Sequence, residues 1–281
     1  MIVIDFFHKN TRATIHEMTY HRILLLVSGW AGVGSALLAE VAAPLPSAAA
    51  AITVAATSSL VSQNVFRGQR LSGAALQPAV EISSGHFTGG VWANLPVRDI
   101  GSRRADPEVD LYAAYNLKWI EAVSIAPGVT SYHYPRALTD AGAYRTTVEP
   151  NLALNGLLAG GKFTPKIAYD PVLKSVTYEL AGYYAVALPA LGSELDFTFI
   201  AGTYRQADGV NHAAPAVKLR GDYWLAGVAA PFAISREAKF TVGLAFTEGR
   251  QTFVKQGNSA RAADPLAAGR GVVTLSYTWS F

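Results

Sequence analysis

Gly271-Val-Val-Thr-Leu-Ser-Tyr-Thr-Trp-Ser-Phe281 is the stretch that decides the fold. Apolar and aromatic side chains occupy the odd positions from Val273 onward, and Thr or Ser occupies the even positions between them. Successive side chains of a β-strand point to opposite faces, so this strand has one apolar face and one small polar face. Such a strand, with aromatics at one end, is typical of a bacterial outer-membrane β-barrel, where the apolar face contacts lipid and the polar face lines the lumen.

The same alternation recurs along the chain after residue 51, most clearly in 109–117, 176–186 and 240–246. A tilted strand of about ten residues is long enough to cross the bilayer. The pattern predicts about twelve strands, with about ten or about fourteen as alternatives. Their predicted positions are 53–66, 74–83, 86–95, 107–117, 121–134, 142–155, 161–170, 174–187, 193–205, 216–229, 237–248 and 271–281.

Connections between the predicted strands alternate in length. The long polar ones cover 96–105, 135–141, 206–215 and 249–270, and the short ones include 84–85, 188–192 and 231–236. Asp170-Pro171 is a short exception among the long ones. This rhythm is typical of an up-and-down barrel with both ends in the periplasm, and the sheet must close because lipid satisfies no open edge. We predict an all-β fold, a transmembrane antiparallel up-and-down β-barrel in the cell outer membrane.

Composition agrees with this class. Hydrophobic residues make up 51% of the 281 residues and charged residues only 15%, whereas soluble domains carry about 25% charged residues. The chain has no cysteine, which excludes disulfides and thiolate metal sites. A net charge of +3 without a basic run gives no argument for a nucleic-acid partner.

The N-terminal region has the features of a secretory signal peptide. His21 and Arg22 precede the apolar run 23–38, and small residues follow at 48–51. We predict cleavage near Ala49 to Ala51, with Met18 as an alternative start, so that 1–51 is extension and signal and 52–281 is the barrel. A single N-terminal anchor helix is the alternative.

The phase opposite to the apolar one is predicted to line the lumen, and it carries charges of both signs. A Lys or Arg facing lipid at the midplane costs about 2–4 kcal/mol, which favours this register. Such a lumen is either a hydrated pore or an interior closed by ion pairs, and about twelve strands leave room for a narrow channel. The predicted pore-lining residues are Arg145, Glu149, Lys166, Glu179, Glu194, Asp196, Lys218, Arg220 and Asp222. Bulky residues of the same phase, which favour closure, are Trp92, Tyr112, Tyr183 and Trp224.

Lys218, Arg220 and Asp222 form the densest charged run of that phase. They are interpreted either as the basic side of a selectivity filter or as one half of an ion-pair ladder with Glu194 and Asp196.

Five segments in the first half of the barrel carry a more specific signal. They are Ser62-Gln-Asn-Val-Phe-Arg-Gly68, Leu76-Gln-Pro-Ala-Val80, Gly89-Gly-Val-Trp-Ala-Asn94, Glu108-Val-Asp-Leu-Tyr-Ala-Ala-Tyr115 and Ser131-Tyr-His-Tyr-Pro135. In this order and spacing the chain resembles the Gcw_chp family of outer-membrane porins, also called TorF-type. The resemblance covers about 53–135 well and implies an outer-membrane barrel whose solute is undefined. Gln63-Asn64 and Ala93 depart from the usual family pattern in side-chain detail.

Structural roles are predicted for four residues. Arg67 and Gly68 end the first predicted strand, where Gly permits a turn and Arg reaches the interface or the lumen. Asp110 faces inward and is expected to pair with Arg67. Phe281 completes the final strand, through which we expect recognition by the barrel-assembly machinery.

Catalysis is not expected. Ser131 and His133 share a strand face, which resembles a nucleophile and base, but no carboxylate is placed to orient His133. His212 and Asp208 lie in a predicted loop and lack further metal ligands. The chain has no Gly-x-Ser-x-Gly, His-Glu-x-x-His or phosphate-loop motif, and no cofactor is predicted.

The sequence therefore predicts a porin, a passive diffusion channel for small hydrophilic solutes through a mixed-charge lumen. The alternative is a non-conducting structural or binding barrel that works through its extracellular loops. The mildly basic loop 249–270 either meets lipopolysaccharide phosphates or folds inward and narrows the pore. The expected partners are outer-membrane lipid and lipopolysaccharide, the assembly machinery and the solute.

Overall fold

The computed structural model describes residues 52–98, 105–137, 144–206, 218–254 and 269–281. The predicted signal peptide and its alternative, an anchor helix, lie outside these residues, as do His212 and Asp208. Among the described residues, no helix is long and apolar enough to cross a membrane.

The described chain consists of fifteen strands and one short 3-10 turn. The strands are β1 (Ile52–Val61), β2 (Asn64–Phe66), β3 (Gln69–Ser72), β4 (Ala75–Ser84), β5 (Phe87–Pro96), β6 (Glu108–Tyr115), β7 (Leu117–Ile120), β8 (Val123–His133), β9 (Thr146–Leu158), β10 (Gly161–Asp170), β11 (Ser175–Leu188), β12 (Ser193–Gln206), β13 (Lys218–Ala233), β14 (Ala238–Val254) and β15 (Arg270–Ser280). The 3-10 turn, Pro189–Leu191, joins β11 to β12.

The strands close into a twelve-stranded antiparallel barrel, as predicted. Each barrel strand pairs with its neighbours in the chain, and β6 and β7 are two halves of one strand interrupted at Asn116. Both halves pair with β8. Pairing of β1 with β15 completes the ring, with Ala55 opposite Ser280 and Val61 opposite Thr274. The ring leaves no open edge, as a sheet in lipid requires.

The barrel is apolar outside and polar inside. On β15, Leu275 and Trp279 are 41% and 54% exposed, whereas Thr274 and Thr278 are nearly fully buried. The most deeply buried larger side chains are polar, including Gln77 and Glu149. This distribution is the reverse of that in a soluble protein, because lipid instead of water surrounds the sheet.

The two ends of the barrel differ. One end holds the start of β1, the end of β15 and the short turns 85–86, 121–122, 159–160, 189–192 and 234–237, and we call it the short-turn end. The opposite end, which we call the long-loop end, holds the connections 97–107, 134–145, 207–217 and 255–269 together with the short turn 171–174. The alternation predicted from sequence is therefore present, including the short exception at Asp170-Pro171.

The first strand ends earlier than predicted. Instead of continuing to Phe66, β1 stops at Val61, and β2 and β3 pair with each other in a separate two-stranded hairpin, Asn64–Ser72. Gln63 Nε2 donates to the carbonyl of Gly271, and the amide of Gly73 donates to the carbonyl of Arg98 at 3.0 Å. These bonds fix both ends of the hairpin at the rim.

Candidate functional site: a constriction inside the barrel

The tip of the hairpin is a two-residue turn in the left-handed region. Phe66 pairs with Gln69, and Arg67 and Gly68 between them have φ of 48° and 75°. Two successive positive φ angles are typical of the type I′ turns that fit the twist of a hairpin, but they are uncommon for a residue other than Gly, Asn or Asp. The side-chain contacts of Arg67 hold this conformation.

Gly68 brings the tip against the barrel wall. A Cβ atom at Gly68 would lie 2.5 Å from Cα of Gly249 on β14 and 2.8 Å from Cβ of Tyr223 on β13. A Cβ at Gly249 would in turn lie 2.7 Å from the carbonyl oxygen of Gly68. Two glycines are therefore needed for the hairpin and the wall to approach so closely.

Arg67 reaches from the tip to β9. Its Nη2 lies 2.8 Å from each carboxylate oxygen of Glu149; the Glu149 side chain is buried and that of Arg67 is nearly so. Tyr132 on β8 also donates to Glu149, at 3.2 Å. The Arg67 guanidinium stacks on the ring of Phe66, which in turn packs on Tyr132. The predicted partner of Arg67 was Asp110, and this prediction is wrong, because the tip extends past β6 to β9.

A second buried ion pair lies on the neighbouring wall. Lys166 on β10 and Glu179 on β11 face each other in register, with Nζ 2.7 Å from the carboxylate. Tyr223 donates to the same carboxylate at 2.6 Å. Gln69 of the hairpin donates to Tyr204 on β12, whose ring packs near that of Tyr223. The hairpin tip thus contacts β8, β9, β12, β13 and β14, and we call the ring of contacts around it the constriction.

The polar wall from β4 to β8 borders the constriction. Gln77 Nε2 donates to Asn94 Oδ1 at 3.0 Å, Asn94 is in register with Glu108, and Tyr134 donates to Glu108 at 2.8 Å. Asp110, the next inward residue of β6, is opposite Tyr132. All five segments that carry the family resemblance therefore contribute residues either to the hairpin or to this polar wall.

A third polar cluster lies towards the short-turn end. Asp196 is almost fully buried and accepts a hydrogen bond from Tyr183 at 2.6 Å. Lys239 on β14 lies within electrostatic range of Asp196 and of Glu194. Of the predicted interior residues, this cluster contains Glu194 and Asp196.

Two predicted pore-lining residues face outward instead. Gly221, Tyr223 and Leu225 are the inward residues of this part of β13, so Arg220 and Asp222 project from the outer face, where they are 53% and 58% exposed. A charged residue indicates the lumen only where the strand lies within the bilayer, but β13 has 16 residues and extends beyond the length needed to cross it. Charged side chains on the outer face of β13 beyond the bilayer core, such as Arg220 and Asp222, are not in contact with lipid hydrocarbon.

The antiparallel register also excludes the alternative ladder. Arg220 is opposite Arg205, whereas Asp196 is opposite Ala229, towards the other end of the strands. Trp224, predicted inward, is likewise on the outer face, where its ring packs near Phe246. Arg145 precedes β9 and is exposed, and the side chain of Lys218 lies outside the described part of the structure.

The sequence does not single out several residues of the constriction and of the polar wall beside it: Gln77, Glu108, Tyr132, Tyr204 and Tyr223. Tyr132 and Glu108 lie within the family-like segments and in the inward phase of their strands, so that signal was present. The position at which these residues come together depends on the hairpin entering the barrel, and the alternation of side chains along a strand does not encode that path.

The nucleophile-like pair is directed away from the lumen. Ser131 and His133 alternate with the buried Thr130 and Tyr132 on β8, and so belong to the outer face. His133 Nδ1 is hydrogen-bonded to Thr146 at 2.8 Å. Among the described residues, no group of three or more His, Cys, Asp or Glu side chains could hold a metal ion.

Comparison with known proteins gives one family match. The profile of a family described as "Bacterial protein of unknown function (Gcw_chp)" matches residues 46–278. No curated protein matches the sequence.

Similar solved structures include the KdgM porin (10% identity, TM-score 0.47) and the NanC porin (10%, 0.45), each alignment covering 82% of this chain and 99% of the other. The COG4313 outer membrane channel from Pseudomonas putida F1 has 12% identity and a TM-score of 0.42, with coverage of 85% and 97%. Values this low carry no information about solute or activity. A closed antiparallel barrel with an apolar exterior lies in the outer membrane, and that is the location of this chain.

Proposed function

The chain belongs to the Gcw_chp family, and we propose that it is a passive diffusion channel for small hydrophilic solutes. No covalent chemistry is involved, and the charges of the interior set which solutes pass. The long-loop end faces the outside of the cell, as the loop lengths of outer-membrane barrels suggest.

The observation that carries this proposal is the polarity of the interior. Thr, Ser, Asn, Gln and charged residues outnumber apolar residues among the buried side chains, although β13 contributes the inward residues Tyr223, Leu225 and Ala229. Such a surface is suited to water and hydrophilic solutes, and a ring of charge at a narrow level provides selectivity. Of the predicted pore-lining residues, Glu149, Lys166 and Glu179 belong to the constriction.

Single-channel recording tests the proposal. The protein, extracted from outer membranes in detergent and inserted into a planar bilayer, is expected to give discrete current steps. A variant in which the hairpin Asn64–Ser72 is replaced by a Gly-Ser-Gly-Ser linker is expected to give larger steps, because the constriction is gone. A linker of this length is sufficient to join β1 to β4, because Val61 and Ala75 are directly opposite each other.

The alternative is a non-conducting barrel that binds through its extracellular loops. The specific observation in its favour is that the hairpin tip touches five barrel strands, which narrows the lumen on several sides. If neither the wild type nor the linker variant conducts, although both show the heat-dependent gel mobility of a folded barrel, the channel proposal is wrong and the binding alternative stands.

A further inference from the structure

The polar wall beside the constriction holds more carboxyl groups than its one visible cation can pair with. Glu108, Asp110 and Glu149 lie together on β6 and β9, close enough for the charges of Glu108 and Glu149 to act on Asp110. Arg67 is the cation that bonds this group, and both of its described bonds go to Glu149. Glu108 accepts from the neutral Tyr134 instead.

Polar atoms at the same place lack partners. Asp110 Oδ1, Gln77 Oε1 and Asn94 Nδ2 are buried, and none has a hydrogen-bond partner among the described residues. The three residues are between 0% and 3% exposed. Reversing the amides of the Gln77–Asn94 pair would still leave one acceptor and one donor unpaired. Buried polar groups are normally satisfied, so unpaired atoms beside excess carboxylates indicate a place for another group.

We propose that this wall is a binding subsite for a small organic cation, an ammonium or guanidinium group of the solute, and that Arg67 occupies it in the solute's absence. The proposal rests on the proposed channel function and gives it a solute class. The hairpin places a guanidinium against Glu149 in the geometry that a solute guanidinium would use. A cationic solute would replace it and release the hairpin tip.

Charge decides between this solute and a neutral one. Hydroxyl groups of a polyol would satisfy the unpaired donor and acceptors, each at about 0.5–1.5 kcal/mol, but would leave the surplus carboxyl groups without a cation. A bond from a charged donor to a carboxylate contributes about 1.5–3 kcal/mol and neutralises charge in a place shielded from water. The absence of a three-ligand metal group among the described residues favours an organic cation over a metal ion.

The test uses agmatine, which carries a guanidinium and an ammonium group, and isothermal titration calorimetry of the full protein in detergent. Asp110→Asn is expected to weaken agmatine binding about tenfold or more, because it removes the carboxyl group that would pair with the cation. Arg67→Met is expected to strengthen binding about tenfold, because the internal competitor is gone. Asp222→Asn, which removes the same charge from the outer face, is the matched control and should leave binding unchanged.

Asp110→Asn and Arg67→Met are expected to change agmatine binding in opposite directions, and this distinguishes a binding site from a purely structural role of the two residues. If Asp110 and Arg67 only support the fold, both substitutions will lower agmatine binding or both will leave it unchanged. Either result would overturn the proposal. Binding of glucose in place of agmatine, with the same dependence on Asp110, would overturn it in favour of a polyol subsite.

The channel proposal and the subsite proposal can be refuted independently of each other. Current steps that agmatine does not block, together with no calorimetric signal, refute the subsite and leave the channel intact. Calorimetric binding with the expected pattern in a barrel that passes no current supports the subsite and refutes the channel. Heat-dependent gel mobility of each variant confirms that the barrel has folded.

Discussion

Arg67 and Glu149 are 82 positions apart in the chain, and the guanidinium Nη2 of Arg67 lies 2.8 Å from both carboxylate oxygens of Glu149. The side chains are 11% and 2% exposed, so the pair is screened from water. It joins the tip of the hairpin to β9 across the lumen. One ion pair therefore links the hairpin tip to a wall with which the hairpin shares no backbone pairing.

Breaking this pair is expected to loosen the hairpin. Removing one member of a buried pair costs about 3–5 kcal/mol, because the other charge is left unpaired. Glu149→Gln should therefore increase hydrogen exchange at the amides of β2 and β3 and raise the single-channel conductance. Exchange of the same amides at the wild-type rate would contradict the importance of the pair, and exchange in β15 serves as the internal control.

The close approach of Gly249 to Gly68 gives a steric prediction. A Cβ at Gly249 would lie 2.7 Å from the Gly68 carbonyl oxygen, so Gly249→Ala should push the tip from the wall. Overpacking of this kind costs about 1–3 kcal/mol. Gly182→Ala on β11 is the control, since its Cβ would meet nothing closer than 4.0 Å. We expect higher conductance from the first variant and no change from the second.

Lys166 and Tyr223 both bind the Glu179 carboxylate, Lys166 as a cation and Tyr223 as a neutral hydrogen-bond donor. Lys166→Met removes the only cation within salt-bridge distance of Glu179 among the described residues and should lower the free energy of unfolding by about 3–5 kcal/mol. Tyr223→Phe removes one hydrogen bond to that carboxylate and should cost less, about 1.5–3 kcal/mol. Urea unfolding in lipid vesicles measures both. Equal effects of the two variants would mean that the ion pair contributes no more than the hydroxyl.

Arg220 provides a prediction of no effect. Its side chain projects from the outer face of β13, so Arg220→Glu should leave the ion preference of the channel unchanged. Ion preference is measured as the zero-current potential in a salt gradient. A clear shift towards cations in this variant would mean that Arg220 faces the permeation path after all.

The outer surface can be tested by placing a charge in lipid. Leu152 lies on the outer face near the middle of β9, so Leu152→Arg should lower the free energy of unfolding by about 2–4 kcal/mol. Val97 is exposed just beyond the end of β5, and Val97→Arg should cost only about 0–1 kcal/mol. Urea titration in vesicles compares the two. Similar costs at both positions would place the hydrocarbon boundary elsewhere.

Much of the fold could be predicted from alternation alone. The predicted strand 161–170 coincides with β10, and 193–205 differs from β12 by one residue, because apolar and polar side chains alternate along most of β10 and through the first half of β12. Alternation failed at Phe66, where polar hairpin residues continue a strand-like pattern although the chain has left the wall. Positive φ at Arg67 and Gly68 marks that change, and no period of two encodes it.

The candidate site was less predictable than the fold. Glu149, Lys166, Glu179 and Asp196 are in the inward phase in which they were placed, because burial of charge away from lipid is a strong constraint. The same rule placed Arg220 and Asp222 incorrectly, because it does not hold where a strand extends past the bilayer. Partners across the lumen, such as Arg67 and Glu149, depend on the path of one hairpin.

The seam between β1 and β15 has a consequence for the timing of assembly. Thr57 and Thr278 are hydrogen-bonded across it although they are 221 positions apart, so the ring closes only when the last strand is in place. Until then β1 and β15 each expose a row of unpaired backbone groups, which are templates for aggregation. The wall against which Gly68 rests is on β14, next to that seam. A barrel arrested before closure would therefore have two aggregation-prone edges, and the wall that holds the hairpin tip in the lumen would be incomplete at the same time.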